Sequence, residues 1–149
     1  MLIRNAKPSD IPELLEMMRG LAKFEGYLDK FKVTEEELNN RLFKRADFQC
    51  LVAEDSGVAI GYLVFYALPF TYDLTPWLWI KELYVVGNKE YRRKGVGRAL
   101  MGFLIKEAYE RGSAKIKWEV LSTNVDAQAF YQQLGGAPEQ KWQIWSLSI

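Results

Sequence analysis

The feature that most constrains the fold is an apolar run at residues 78–86, followed by a short basic loop and two glycines, Gly95 and Gly97. The run predicts a buried strand, and apolar residues at helical spacing after the glycines predict a helix. The first N–H groups of a helix have no intrahelical partner, and the helix dipole there favours negative charge. Because glycines let the backbone approach a phosphate, this order of elements predicts an anion site.

Three kinds of phosphate-binding loop can be compared with this stretch. The P-loop requires Gly-Lys followed by Ser or Thr, with an earlier glycine ahead of it, and the chain lacks that pattern. The dinucleotide fingerprint requires a small residue three positions after Gly97, where the chain has Leu100. The remaining pattern is Arg92-x-x-Gly95-x-Gly97. Its alternative interpretation is an ordinary basic loop that precedes a helix.

That pattern resembles the Arg/Gln-x-x-Gly-x-Gly/Ala loop of the GCN5-related N-acetyltransferases (GNAT), which holds the pyrophosphate of acetyl-coenzyme A. The resemblance implies a pyrophosphate site in the loop and at the helix start. The residues it assigns to that site are Arg92, Arg93, Lys94, Gly95, Val96, Gly97 and Arg98. In the preceding strand, it implies backbone pairing with the pantetheine arm by Leu83, Val85 and Val86. Asn124, a predicted helix N-cap, is implied to reach the same arm.

Length and composition limit the organisation of the chain. Its 149 residues suffice for one substantial core and are too few for two ordinary domains, so we expect a single domain, 1–149. A net charge of +1 gives no general argument for a nucleic-acid partner, and we expect none. The sequence shows no signal peptide and no apolar run near ~18 residues. We therefore expect a cytoplasmic protein without a membrane partner.

The absence of histidine narrows the possible chemistry. Ser-His and Cys-His nucleophilic systems and histidine metal sites are excluded. The one cysteine, Cys50, allows neither an internal disulfide nor a cysteine-pair metal site, and its strand-like surroundings predict a small core residue. We expect no metal.

The order of predicted elements is β-α-α-β-β-β-α-β-α-β. Strands are expected at residues 2–6, 48–54, 58–68, 77–86, 115–121 and 140–149. Helices are expected after Pro8, after Thr34, over residues 97–111 and from the Asn124 cap to about Leu134. This order predicts an α/β protein with a mixed, mostly antiparallel central sheet and helices on both faces. It is also similar to the acyl-CoA N-acyltransferase fold of the GNAT family.

Acyl transfer from a thioester to an amine requires a base for the amine and an acid for the leaving thiolate. An alkylammonium has a pKa near ~10, so a proton must be removed at neutral pH. The resemblance implies that Tyr131 is the acid. Its alternative interpretation is a tyrosine with a core ring and a hydroxyl at the rim.

Glu82 interrupts an otherwise apolar strand and either faces outward or lines an amine site. Lys81 and Glu82 lie on opposite faces of a regular strand, so only one of them is expected to face the cleft. We expect Glu82 to be a water-linked base or an anchor for the ammonium group.

Scattered segments make the chain similar to the spermidine/spermine (diamine) N-acetyltransferase branch. They are residues 21–25, 50–54 and 70–73, Phe130-Tyr131 with Gly135-Gly136-Ala137, and Trp142. The resemblance implies a homodimer and an acidic, aromatic amine pocket. Its members would be Glu25, Asp73, Trp77, Glu82 and Trp142, since carboxylates and indole faces suit ammonium groups. Their alternative roles are surface charges, a turn former and core tryptophans.

Two departures from that branch concern the amine. Lys81 stands where the branch has an acidic residue, and about two residues are inserted between Val86 and Tyr91. A lysine that faced the pocket would repel a polycation, whereas it would favour the carboxylate of a thialysine-like amino acid.

The predicted function is acetyl-coenzyme-A-dependent N-acetylation of a primary amine on a polyamine-like or thialysine-like small molecule, by direct attack in a ternary complex. One alternative is acetylation of a protein or peptide amine in a more open cleft. Another is a non-catalytic acetyl-coenzyme-A-binding regulatory domain. A third, nucleic-acid binding through residues 89–98, would show steep salt dependence.

Overall fold

The computed structural model describes residues 1–69, 74–87, 91 and 94–149. Within them the chain forms two compact units, Met1–Glu119 and Val120–Ile149. A single domain over residues 1–149 stays a prediction. None of the helices in the described ranges is long and apolar enough to cross a membrane.

The first unit is built on a sheet that has five strands among the described residues, in the order β1-β2-β3-β4-β5. They are β1 (Leu2–Asn5), β2 (Gln49–Asp55), β3 (Val58–Leu68), β4 (Trp77–Val85) and β5 (Lys115–Trp118). Neighbours from β1 to β4 are antiparallel, and β5 lies parallel to β4. The predicted mixed, mostly antiparallel sheet is confirmed.

The helices have the predicted order. They are α1 (Ile11–Glu25), α2 (Glu35–Asn39), α3 (Val96–Glu110) and, in the second unit, α4 (Val125–Gln133). Short 3₁₀ turns lie at Pro8–Asp10 and Leu28–Lys30, and a π-helical turn follows α2 at Asn40–Lys44. The predicted capping box of α2 is present, because the Thr34 hydroxyl accepts from the Glu37 N–H at 3.2 Å and the Glu37 carboxylate accepts from the Thr34 N–H at 3.2 Å.

The sheet is covered on both faces. On one face, α1 and α2 pack against alternate residues of β2 and β3, including Cys50, Tyr62 and Val64. On the other face, α3 approaches so closely that a Cβ on Gly61 of β3 would lie 3.2 Å from Val96 and 3.5 Å from Leu100. The alternation of β2 and β3 therefore directs one set of side chains to each helical layer. Cys50 is buried, as the sequence predicts.

The C-terminal tail corrects one prediction. Residues 140–149 form no strand, and the predicted strand over 115–121 ends at Trp118. Trp142 and Trp145 in the tail are 70% and 87% exposed. Alternating apolar residues favour a strand, but a strand also needs a neighbouring strand for its backbone hydrogen bonds. Among the described residues, the tail pairs with no strand of the sheet.

Candidate active site

A bulge in the β3–β4 pairing determines which side chains of β4 share a face. Val64 lies opposite Glu82, but the next residue of β3, Phe65, lies opposite Ile80, so Lys81 is an extra residue in β4. Such a bulge interrupts the alternation of side chains. Lys81 and Glu82 consequently line the same cavity. The expectation that only one of them faces the cleft is wrong, because it assumed a regular strand.

Glu82 is held by a residue that the sequence did not single out. The Tyr62 hydroxyl on β3 donates a hydrogen bond to Glu82 Oε2 at 2.9 Å, and the Tyr62 side chain is fully buried. Burial raises the pKa of the Glu82 carboxyl, and the bond from Tyr62 counteracts this by stabilising the charged form. Burial and the Glu82 charge raise the pKa of Tyr62 well above its usual value, so the phenol stays a proton donor in this bond.

A second carboxylate adds negative potential around Glu82. Glu25, at the end of α1, raises the pKa of the Glu82 carboxyl, whereas Lys81 lowers it. Tyr27, just beyond the end of α1, has its own pKa raised by burial and then by the charges of Glu82 and Glu25. The structure thus brings two predicted amine-pocket residues, Glu25 and Glu82, within electrostatic range of each other. Such a pair suits an ammonium group.

The cavity next to Glu82 has a volume of about 630 Å³. Its apolar lining includes Met18 of α1, Leu38 of α2, Val64 of β3 and Trp79 of β4, together with Phe48, just before β2. Its charged lining consists of four carboxylates and two cations among the described residues: Glu37, Asp47, Glu82, Glu119, Arg41 and Lys81. A space of this size and mixed lining fits a small organic molecule with several charged groups.

Beyond Ile80, β4 has an open edge. The β4–β5 ladder covers only residues 77–80 of β4, and from Lys81 onward the described residues provide a strand partner on the β3 side alone. The Val86 N–H donates to the Ile60 carbonyl of β3 at 2.9 Å. Alternation along the strand then turns the backbone groups of Leu83 and Val85 toward the open edge. Those two residues offer the backbone groups expected for a pantetheine arm, whereas the Val86 N–H is already bonded within the sheet.

The start of α3 has the geometry of an anion site. Gly95 has φ = 70°, a left-handed conformation that favours glycine, and a Cβ there would meet nothing within 4 Å. The first helical bond is donated by Ala99 N–H to the Gly95 carbonyl at 2.9 Å. The N–H groups of Val96, Gly97 and Arg98 therefore have no intrahelical acceptor. These groups can donate to an anion, and the predicted role of this segment in binding a pyrophosphate stays a prediction.

Two predicted loop cations can be described in part. Lys94 Nζ lies 3.8 Å from an Asp55 carboxylate oxygen and 5.2 Å from the centre of the Tyr91 ring. Arg98 is exposed on the first turn of α3. The predictions for Arg92, Arg93 and Asp73 lie outside the described residues.

Three predicted site residues belong to the second unit. Asn124 caps α4, since its Oδ1 accepts from the Ala127 N–H at 3.0 Å. Tyr131, near the end of α4, is half-buried, and its ring packs edge-on against Phe130 with centroids 5.2 Å apart. Trp142 is exposed in the tail. The roles of all three stay predictions.

Trp77 lies at the start of β4, away from the bulge. Its ring is contacted by the ammonium groups of Lys115 and Lys117, each 5.0 Å from the ring centre. Of the two tryptophans in β4, the one that lines the cavity described here is Trp79. The substrate role of Trp77 stays a prediction.

The sequence did not single out several residues of this region. Arg41, Asp47 and Trp79 line the cavity, and Tyr62 and Tyr27 lie near Glu82. They come from separate segments of the chain, and only the fold brings them together. No local spacing could have indicated the Tyr62–Glu82 bond, which joins residues 20 positions apart. Among the described residues, no group of three or more His, Cys, Asp or Glu side chains is arranged to hold a metal ion.

Comparison with known proteins identifies the family to which the chain is similar. The acetyltransferase (GNAT) family model matches residues 14–136. The thialysine N-epsilon-acetyltransferase of Sus scrofa is 29% identical over 153 residues, which cover 97% of this chain and 88% of that protein. The spermidine/spermine N(1)-acetyltransferase-like protein 1 of Homo sapiens is 27% identical over 158 residues, covering 96% of this chain and 22% of that protein. The predicted superfamily is confirmed, and the predicted branch is supported.

The fold also has solved counterparts. A crystal structure of a probable acetyltransferase matches with a TM-score of 0.85 at 19% identity, covering 100% of this chain and 98% of that one. At this identity the match concerns the fold.

Proposed function

The chain belongs to the acetyltransferase (GNAT) family, and from that membership we propose that it transfers the acetyl group of acetyl-coenzyme A to a primary amine of a small molecule. It is an acetyltransferase, and enzymes of this family use acetyl-coenzyme A. The proposed substrate class is polyamine-like or thialysine-like, which the names of the two relatives support. The proposed route is direct attack by the amine in a ternary complex.

The observation that carries this proposal is the placement of Glu82. Its carboxylate is half-buried in a cavity of about 630 Å³, hydrogen-bonded to Tyr62, at the point where β4 begins its open edge. A carboxylate in this position can hold a substrate ammonium and accept its proton, directly or through water. The raised pKa of Glu82 makes it a stronger base than an exposed glutamate.

The chain's own groups suit acetyl-coenzyme A along two adjoining parts of the fold. We assign the pyrophosphate to the start of α3 and the pantetheine arm to the backbone of Leu83 and Val85. When bound, acetyl-coenzyme A supplies the acetyl group as a thioester. The loop residues 92–93, the Lys94 and Arg98 cations and Asn124 complete the proposed cofactor site.

The proposed proton transfers involve two residues. Glu82 takes a proton from the amine, whose nitrogen forms a bond to the acetyl carbon as the carbon–sulfur bond breaks. Tyr131 donates its phenolic proton to the departing sulfur. Direct attack is supported by Cys50, because burial raises the pKa of its thiol far above the usual range and disfavours the nucleophilic thiolate.

The test is release of coenzyme A thiol from acetyl-coenzyme A with diamines, polyamines, lysine analogues and a basic peptide as separate acceptors. We expect turnover with at least one small amine and a loss of ~10²-fold or more in Tyr131→Phe. The control is Tyr109→Phe, which removes the same hydroxyl from a side chain that is 82% exposed on α3. Turnover with the peptide alone, or cofactor binding without any turnover, would contradict the proposal.

The same proposal includes a homodimer and a cytoplasmic location, as expected from the sequence and its resemblance. Sedimentation equilibrium of the purified protein and fractionation of cells that express it test these two parts separately.

A further inference from the structure

Lys81 and Glu82 line the same cavity with opposite charges and differ in their exposure to solvent. The bulge in β4 places both side chains on the cavity side. Glu82 is half-buried and bonded to Tyr62, whereas Lys81 is exposed. A molecule that binds in the cavity with its amine at Glu82 therefore has the Lys81 ammonium group in the same lining.

The charge of Lys81 is not neutralised by a direct partner among the described residues. Lys81 forms no salt bridge with these residues. The other cation of the described lining, Arg41, is already paired with Asp47. Arg41 Nη1 lies 3.1 Å from an Asp47 carboxylate oxygen, and Arg45 Nε lies 3.2 Å from the same oxygen. Lys81 is thus the lining cation best able to bind an anion brought by a substrate.

The rest of the lining suits a group that carries both signs of charge. Glu37 and Glu119 line the cavity together with Lys81. A carboxylate close to Lys81 and an ammonium group close to either glutamate would each meet an opposite charge. A second ammonium group at Lys81, in contrast, would meet a like charge, which disfavours the complex.

We infer that Lys81 is a specificity-determining residue that selects primary amines whose chain also carries a carboxylate over the matching amines without one. The inference rests on the proposed function, because it assumes that the reacting amine lies at Glu82. The bulge is essential to it, since a regular β4 would turn Lys81 to the opposite face of the sheet.

Two pairs of acceptors isolate the carboxylate. Lysine and 1,5-diaminopentane differ only in that group, as do ornithine and 1,4-diaminobutane. For each pair, the ratio of kcat/KM values is measured in the wild type, Lys81→Gln and Lys81→Glu. We expect the wild type to favour the amino acid by about tenfold or more. We expect Lys81→Gln to reduce this ratio and Lys81→Glu to reverse it.

The matched control for Lys81→Glu is Lys106→Glu, which makes the same change of net charge on α3. The Lys106 side chain is 76% exposed. It should leave the ratio at the wild-type value. Thermal unfolding of each variant checks that the exposed Lys81 position tolerates both replacements.

The outcomes distinguish failure of the Lys81 role from failure of the proposed function. Turnover by every variant with an unchanged ratio would overturn the role of Lys81 and leave the proposed function intact. A wild type that prefers the diamines would also overturn it. Absence of acetylation of all four amines by the wild type, with acetyl-coenzyme A bound and a polyamine or lysine analogue still acetylated, would overturn this inference alone. If no small amine were acetylated at all, the proposed function would fall with it.

Discussion

At the scale of single residues, the ionisation of Glu82 is balanced by its neighbours on three elements. Burial raises its pKa most, and Glu25 on α1 raises it further. The hydroxyl of Tyr62 on β3 and the neighbouring Lys81 lower it. Cys50, on β2, is close enough to Glu82 for the carboxylate to raise the pKa of its thiol. The Tyr62 bond is the largest influence that keeps Glu82 ionised and able to accept a proton.

Tyr62→Phe should move the pH dependence of the reaction. Without the donated hydrogen bond, burial and Glu25 raise the pKa of Glu82 further. A base works only when ionised, so activity is lost as the pH falls through that pKa. We expect the acidic limb of the kcat/KM profile to shift to higher pH, with an activity loss at neutral pH that alkaline pH recovers. Steady-state rates from about pH 5 to pH 9 measure this shift.

Tyr109→Phe serves as the control here as well and should keep the wild-type profile. If Tyr62→Phe reduced kcat/KM by the same factor at every pH, Tyr62 would act only through packing.

At the residue scale, the sequence is informative where one position carries its own signal. A lone acid in an apolar strand indicated that Glu82 is unusual, and the structure places it in a cavity. The shared face of Lys81 and Glu82 could not be predicted, because a bulge depends on the register of β4 against β3. Tyr62 was missed for the same reason, since its partner lies on the neighbouring strand.

At the scale of elements, the position of α3 on the sheet depends on Gly61. A Cβ at this position would lie 2.9 Å from the Tyr84 carbonyl oxygen and 3.2 Å from a methyl carbon of Val96, the first residue of α3. Gly61→Ala should push the start of α3 from the sheet. We expect a loss of about 1–3 kcal/mol in the free energy of unfolding, the usual cost of overpacking. We also expect weaker acetyl-coenzyme A binding, measured by calorimetry.

Gly102→Ala is the matched control for Gly61→Ala. Gly102 lies within α3, and a Cβ there would meet nothing within 4 Å. Because alanine favours a helix more than glycine does, this variant should gain roughly 0.5–1 kcal/mol in the free energy of unfolding and bind the cofactor normally. Equal stability of the two variants in denaturant titrations would contradict the close contact at Gly61.

Element order was predictable because periodicity and turn residues are local. The hairpin between β2 and β3 formed at Ser56 and Gly57, whose φ values of 52° and 81° match the turn that Asp-Ser-Gly predicted. The prediction of a strand in the tail was wrong. Alternation in residues 140–149 indicates only a preference for extended backbone, whereas pairing requires a neighbouring strand. The early end of β5 has the same cause, since its ladder with β4 stops at Trp118.

At the scale of the whole molecule, the proposed roles are divided between the two compact units. The first contains the cavity, Glu82, the open edge of β4 and the start of α3. The second contains Asn124 and Tyr131, assigned here to the pantetheine arm and to the acid. Length predicted one substantial core, and the order of elements predicted an α/β chain with a mixed sheet. The amine pocket had to be inferred from resemblance, because its predicted residues come from separate elements.

The central claim is that Glu82 binds and deprotonates the small amine that receives the acetyl group. Its most direct measurement is the mass-spectrometric rate of acetyl-amine formation at saturating acetyl-coenzyme A, in the wild type and in Glu82→Gln, which keeps the shape of the side chain. The account predicts a fall of ~10²-fold or more, with unchanged acetyl-coenzyme A affinity. Equal rates of acetyl-amine formation in the two proteins would contradict it.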